Sequence, residues 1–275
     1  MSASRMKNLI LLILALCALG LLAVVVPDRL TQNRQQRQML AELKTLYASF
    51  DLTLDLPALP RSPQLYSVEL PNPDALSAAR ALLGQDASSA GDEDRYEAEY
   101  TAAHGTLRVT RSGSFQAQLT GGRPVGSIDS AAARLLRTLG YQVQTLAPAV
   151  RTDDGAEVVR ATQKLLGVPV FEDSLDVIYR DGVLSALDGV FYTGSDSATR
   201  VSQTPGISCA DALTQFLASR DALGWVGSRV SDVTQGYLPT ETASASVWFV
   251  PTWRIETDTG SFYVSGVTRE VRAAP

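Results

Sequence analysis

One histidine and two cysteines occur in 275 residues. That scarcity leaves no His/Cys set with zinc-ligand spacing. It also leaves a single candidate, His104, for the imidazole that much nucleophilic and general-base chemistry uses. Cys17 lies inside an apolar run and Cys209 far along the chain, so no intrachain disulfide is expected. Positive charge is short as well. Lys and Arg number 24 against 29 Asp and Glu, for a net charge of −5, and the only basic cluster is near the N-terminus. A nucleic-acid binder carries a basic stripe, so that class is excluded. Neither a phosphate-cradling glycine loop nor calcium-loop spacing is present. The acidic groups Asp92-Glu93-Asp94, Asp153-Asp154 and Glu172-Asp173 sit among turn residues and read as solvated loops. The sequence therefore predicts no enzyme, no cofactor and no metal site.

One long apolar run is present. Leu9–Val26 has no charged and no strongly polar residue, and Arg5 and Lys7 precede it. A helix needs roughly 20 such residues to cross a bilayer core. A cleaved signal peptide would want a small-x-small site, but Val24, Val25, Val26 and Pro27 follow. A lipoprotein would want a small residue before Cys17, where Leu16 stands. A retained single-pass anchor fits best, with a cytoplasmic tail and an extracytoplasmic body. That body is acidic. Residues 28–275 hold 22 basic and 29 acidic side chains, or −7.

Beyond Pro27 the segment 28–50 reads as helix, with Leu40, Leu43, Tyr47 and Phe50 on one face. Two readings stay open: a stalk laid on the chain's own domain, or a seam for another membrane protein. Cys17, Gly20 and Ala23 form a small-residue stripe within the anchor. These seven residues are the candidate partner contacts. Residues 51–73 form a proline-punctuated connector in which Leu52, Leu54 and Leu56 alternate, as do Tyr66, Val68 and Leu70.

Three helical starts then recur, with caps expected at Asp74, at Ser127 or Asp129, and at Ser208. Strand-like segments follow each. Asp181-Gly182 is a two-residue hairpin signal that sets Tyr179 opposite Leu184 and Val177 opposite Ala186. His104-Gly105 sets Ala102 opposite Leu107 and Tyr100 opposite Val109, which places His104 at a turn tip. A third turn falls near Asp258-Thr259-Gly260, of two or three residues. Trp225, Trp248 and Trp253 all lie in the last unit and are expected mainly as core.

The stretch with Gln163, Gly167-Val168-Pro169-Val170-Phe171, Asp181-Gly182 and Gly189 resembles the FTP and PepSY modules. The run from Ile207 through Val250-Pro251-Thr252-Trp253-Arg254 to Tyr263-Val264 is similar to the C-terminal part of the YycI/YycH two-component regulators, which also begin with one membrane helix behind a basic tail. The resemblance implies an α+β fold, with an N-terminal transmembrane helix followed by about three helix-plus-antiparallel-sheet modules. The expected map is a tail (1–8), an anchor (9–26), a juxtamembrane helix and connector (27–73), a first module (74–122), an FTP/PepSY-like module (127–193) and a C-terminal PepSY/YycI-like module (206–275). The implied function is non-catalytic: modulation of a Gram-positive sensor histidine kinase through protein contacts, with that kinase and a paralogous regulator as the implied partners. The alternative is a PepSY-like binding or inhibitory module acting on an extracellular protease.

Overall fold

The computed structural model describes residues 34–60, 63–70, 75–89, 97–194, 197–241 and 246–275. The run Leu9–Val26, with Cys17, Gly20 and Ala23, lies outside the described residues, as do Asp74 and Asp92-Glu93-Asp94. Strand makes up 41% and helix 22% of what is described. Two antiparallel-dominated sheets, each with helices on one face, account for nearly all of it.

The first sheet runs in the order Val168–Pro169, Glu157–Leu165, Leu175–Arg180, Val183–Val190, Ser114–Leu119, Gly105–Thr110, Glu97–Ala102, Ser88–Ser89. Val143–Leu146 and Val150–Arg151 also pair with Glu157–Leu165. Helices Ala75–Leu83 and Ile128–Thr138 cover one face. Their small residues Ala78, Ala79, Ala131 and Ala132 allow close approach to Leu107, Phe115, Val159 and Val177. The other face is polar and open to water, as expected of an antiparallel sheet with one buried side.

The second sheet orders Thr53–Leu54, Arg229–Glu241, Val247–Thr257, Gly260–Ser265 and Val271–Ala273, with Val68–Glu69 against Trp248 and Phe249. Helix Cys209–Ala218 and the helix over residues 34–48 cover it. Ser208 caps the former with a reciprocal capping box through Asp211. Leu52, Leu54 and Leu56 of the connector are buried in this core.

A third apolar cluster joins the two bodies: Leu65, Val68, Leu165, Val170, Tyr192, Tyr237, Val247 and Phe249. After the two-residue turn Leu166-Gly167, Val170 makes a parallel bridge to Tyr237, and the Phe171 amide donates to the Tyr237 carbonyl at 2.8 Å. The glycine-and-strand stretch around 167–171 is thus the seam between the sheets. Gly236 makes the close approach possible, because a Cβ there would lie 2.5 Å from the Pro169 carbonyl oxygen and 2.6 Å from the Phe171 ring.

These observations correct the expected fold class. The chain is mostly sheet, and its strands do not sort into three like modules. Ser114–Leu119 of the first expected unit pairs with Val183–Val190 of the second, which merges them into one sheet. Connector strands complete the other sheet. No helix among the described residues is long and apolar enough to cross a membrane. The physical reason is that caps and turns are local signals, whereas the partner of a sheet edge is chosen by long-range pairing.

Two hairpins also differ in register. The first has Tyr100 opposite Leu107, so its loop is Ala103-His104. A shift by two preserves which residues share a face, and His104 stays at the exposed turn. In the second, Tyr179 faces Leu184 as expected, but a bulge follows and sets Val177 opposite Leu187. Ser185 takes up the extra residue and its hydroxyl donates to the Ile178 carbonyl at 3.0 Å. The third loop has two residues, Asp258-Thr259.

Candidate functional site

Of the candidate contact residues that are described, Leu40, Leu43 and Tyr47 face the chain's own second core, while Phe50 is 51% exposed. The Tyr47 hydroxyl donates to the Leu213 carbonyl at 2.8 Å and ties the helix over 34–48 to Cys209–Ala218. Burial raises the pKa of that hydroxyl. Flanking that buried face, the same helical segment leaves Met39 45% and Leu46 38% exposed. A step of seven puts Met39 and Leu46 in one stripe, and Phe50 follows in the turn after the helix. Trp225 and Trp253 are core residues and Trp248 is 43% exposed. Among the described residues no group of three or more His, Cys, Asp or Glu is placed to hold a metal ion.

A cavity of about 250 Å³ opens where the helix over 34–48 meets the second sheet. Four segments wall it: Gln36 and Met39 of that helix, the connector around Leu59 and Pro60, the stretch Pro205–Ala210, and the strand pair carrying Gln235 and Trp253. Gln235 and Trp253 are direct cross-strand partners. Trp253 is fixed by its indole N–H, which donates to the Ile207 carbonyl at 2.9 Å. Gln235 alternates with the buried Val233 and Tyr237, so it points to the apolar side of the strand. It is 8% exposed, and its carboxamide oxygen is buried with no hydrogen-bond partner among the described residues. Buried polar atoms are nearly always satisfied, so this one is a cost that the fold carries. Cys209, also in the wall, has a free thiol whose pKa burial pushes up to about 12, so it is not a ready nucleophile.

A second polar cluster sits in the seam. The Gln163 carboxamide, 2% exposed, donates from Nε2 to the Tyr192 carbonyl at 2.8 Å and accepts from the Tyr192 amide at 3.0 Å. The Tyr192 hydroxyl in turn donates to Asp173 at 2.8 Å. Burial raises the Asp173 pKa, the Tyr192 hydrogen bond works against that rise, and the neighbouring Glu172 adds to it. The Tyr192 ring meets Phe249 of the other sheet edge to face, with centroids 4.7 Å apart. This arrangement closes a joint, with both ends of the Gln163 carboxamide spent on the Tyr192 backbone.

The uncovered face of the first sheet carries a row across six strands: Glu99, Arg108, Gln116, Asp188, Asp176 and Arg160. Arg160 binds Asp176 with two hydrogen bonds, at 2.8 and 2.7 Å, and Arg108 pairs with Glu97 at 2.5 Å. Such exposed pairs contribute little to stability, and they keep the face hydrated.

The sequence does signal Gln235, through a polar residue at a core-facing step of an otherwise apolar strand face, although the segment was not singled out by any motif. The orphaned oxygen and the walls contributed by distant segments are visible only once the chain is folded.

No family model matches the chain, and no curated protein matches it. Among solved structures, an uncharacterized protein from Eubacterium rectale aligns over 82% of this chain and 90% of its own, at 10% identity and a TM-score of 0.46. The Bacillus megaterium YpeB C-terminal domain aligns over 75% of this chain and 99% of its own, at 14% identity and a TM-score of 0.37. At these scores and identities the likenesses assign neither activity nor partner.

Proposed function

We propose that this chain is a non-catalytic binding protein that works outside the cytoplasm, at the cell membrane, by protein–protein contact. The observation that carries the reading is the cavity at the foot of the helix over 34–48, walled by four segments of the chain and lined mainly by apolar groups. The exposed Met39, Leu46 and Phe50 beside it supply apolar surface for a larger partner. The apolar run Leu9–Val26 and the acidic body beyond it support export and retention at the membrane. In its specific form the reading is regulation of a membrane sensor kinase, and the sequence resemblance to YycI/YycH regulators is what supports that form.

The test is crosslinking in intact cells, followed by purification of the full-length chain from solubilised membranes. The wild type is expected to capture a defined membrane protein. The triple change Met39→Ser, Leu46→Ser, Phe50→Ser is expected to lose it while the chain stays folded. A chain recovered wholly in the culture fluid, or one with the same crosslinks before and after the triple change, refutes the reading. Secreted-protease activity measured with and without the chain is expected to be equal.

A further inference from the structure

We infer that the groove on the uncovered face of the first sheet is a docking site for an arginine-bearing segment of a partner polypeptide, with Asp188 as the carboxylate that receives the guanidinium. The inference rests on the binding-protein reading above and assigns it a contact on the first sheet, apart from the apolar surface of the helix over 34–48.

The bulge in the second hairpin builds the groove. With Tyr179 opposite Leu184 and no bulge, Ser185 and Leu187 would take the open face, and Ala186 and Asp188 the core face. The inserted residue reverses this. Leu187 enters the core, and Ala186 and Asp188 turn outward. Ala186 then stands between Ile178 on one strand and Gln118 on the other, its direct cross-strand partners. A methyl group among longer side chains leaves a hollow. A cavity of about 460 Å³ opens over it, with Gln116 and Asp188 on its wall. That volume lies within the roughly 300–1,000 Å³ of small-ligand sites.

Charge names the occupant. Asp188 lies directly opposite Asp176, a like-charge pairing that costs stability in a sheet. Asp176 is compensated, because Arg160 donates to both of its oxygens, at 2.8 and 2.7 Å. Arg108, the guanidinium on the groove wall, turns instead to Glu97 at 2.5 Å and to Glu99 at 3.9 Å. Asp188 is left without an ion pair among the described residues, beside Gln116, its neutral partner on the next strand. The groove therefore lacks one cation. An arriving guanidinium supplies it and offers two parallel N–H donors to the carboxylate. Gln116 and Gln118 add carboxamide acceptors for its other N–H groups. Ile178 and Ala186 give its aliphatic stem an apolar floor. A calcium ion would need six or more oxygen ligands, which one free carboxylate does not supply.

The experiment uses the full-length chain in detergent micelles with ¹³C-carboxyl-labelled aspartate, the Asp188 resonance being assigned by its loss in Asp188→Asn. N-acetyl-Ala-Arg-Ala-amide is titrated beside the same peptide with citrulline, which keeps the shape of arginine and lacks its charge. The Asp188 signal is expected to move and saturate with the arginine peptide, and the citrulline peptide to bind at least tenfold more weakly. Asp188→Asn is expected to weaken the arginine peptide at least tenfold, the scale of a charge-assisted hydrogen-bonded pair, read by saturation transfer to the peptide methyls. Asp153→Asn removes an equal charge from an exposed turn and is expected to leave the affinity unchanged. Ala186→Leu fills the hollow and keeps the carboxylate. It is expected to lose at least fivefold while its circular dichroism matches the parent's. An Asp188 signal unmoved at saturating peptide, equal binding of the two peptides, or full affinity in Asp188→Asn overturns the inference. Full affinity in a folded Ala186→Leu does so too, because it reduces the groove to surface charge, and so does a saturating Asp188 shift with calcium chloride alone. If the wild type still captures its membrane partner in any of those cases, the binding-protein reading survives and only the groove falls. No capture by the wild type overturns both.

Discussion

Gln163→Met tests whether the seam is held by a buried polar clasp. The glutamine makes two hydrogen bonds to the backbone of Tyr192 from a site that is 2% exposed. Methionine is similar in shape but neither donates nor accepts through an amide. The Tyr192 amide and carbonyl would then be buried without partners, at about 1–3 kcal/mol each, or about 2–6 kcal/mol together. Burying the more apolar side chain returns about 1–2 kcal/mol. The expected net loss, from the middle of those ranges, is about 2–3 kcal/mol. Urea unfolding followed by far-ultraviolet circular dichroism measures it. Tryptophan fluorescence is a second probe, confined to the second body because all three tryptophans lie between residues 225 and 253. Gln163→Glu sharpens the test. The introduced carboxyl can still accept from the Tyr192 amide, but it donates to the carbonyl only when protonated. Burial raises its folded pKa above the unfolded value of about 4.3. Its stabilising contribution is therefore fully present below about pH 4.3 and is lost as pH rises through the folded pKa. A Gln163→Met change within about 0.5 kcal/mol of the parent would refute the clasp, as would a Gln163→Glu variant whose stability follows the parent's across pH 4–8.

Three further outcomes follow from the same geometry. Asp173 has its pKa raised by burial, so its contribution is fully present below the unfolded value of about 3.9 and is lost as pH rises through the folded value. Asp173→Asn keeps an acceptor for the Tyr192 hydroxyl, and it should remove that decline and leave the chain more stable at pH 7 in urea titrations. Gly236→Ala places a methyl against the Pro169 carbonyl and the Phe171 ring, and should cost about 1–3 kcal/mol, read as a lower urea midpoint. Asp154 is held down to about 2 chiefly by the Thr152 hydroxyl, with Arg180 second, so Thr152→Val should bring its carboxyl titration, followed by nuclear magnetic resonance, up toward the ordinary range.

Local features of this chain were legible before folding and distant ones were not. Ser208 is a cap, Asp181-Gly182 is a turn with both residues at positive φ, and the alternation of Leu52, Leu54 and Leu56 is a buried edge. Each is decided within a few residues by backbone sterics or by one side-chain hydrogen bond. In an unbulged hairpin Ile178 and Leu187 would be apolar residues on the otherwise polar face, a break in alternation that the bulge at Ser185 resolves in part. One inserted residue accounts for Leu187. The merging of strands into one sheet was not legible, because Ser114–Leu119 carries the same alternation whichever edge it joins. For the same reason Leu40, Leu43 and Tyr47 were readable as an apolar face, while the surface that face would cover was not.

The two buried glutamines carry this distinction into a measurement. Gln163 follows Ala161 and precedes Leu165 on a core-facing step, as Gln235 stands between Val233 and Tyr237. In sequence they are the same feature, a carboxamide where an aliphatic residue belongs. Folded, they are opposites. Gln163 spends both ends on Tyr192, whereas Gln235 holds an oxygen that nothing among the described residues meets. A satisfied buried amide stabilises the fold, and an orphaned one costs about 1–3 kcal/mol for as long as it stays empty. Leucine should therefore act with opposite sign at the two sites. Gln163→Leu should destabilise the chain in urea, and Gln235→Leu should leave it as stable or raise it by about 1 kcal/mol or more. Residues kept at a cost to stability are the ones expected to serve binding. If Gln235→Leu instead lowers stability by more than about 1 kcal/mol, the oxygen has a partner within the chain and the two glutamines are alike.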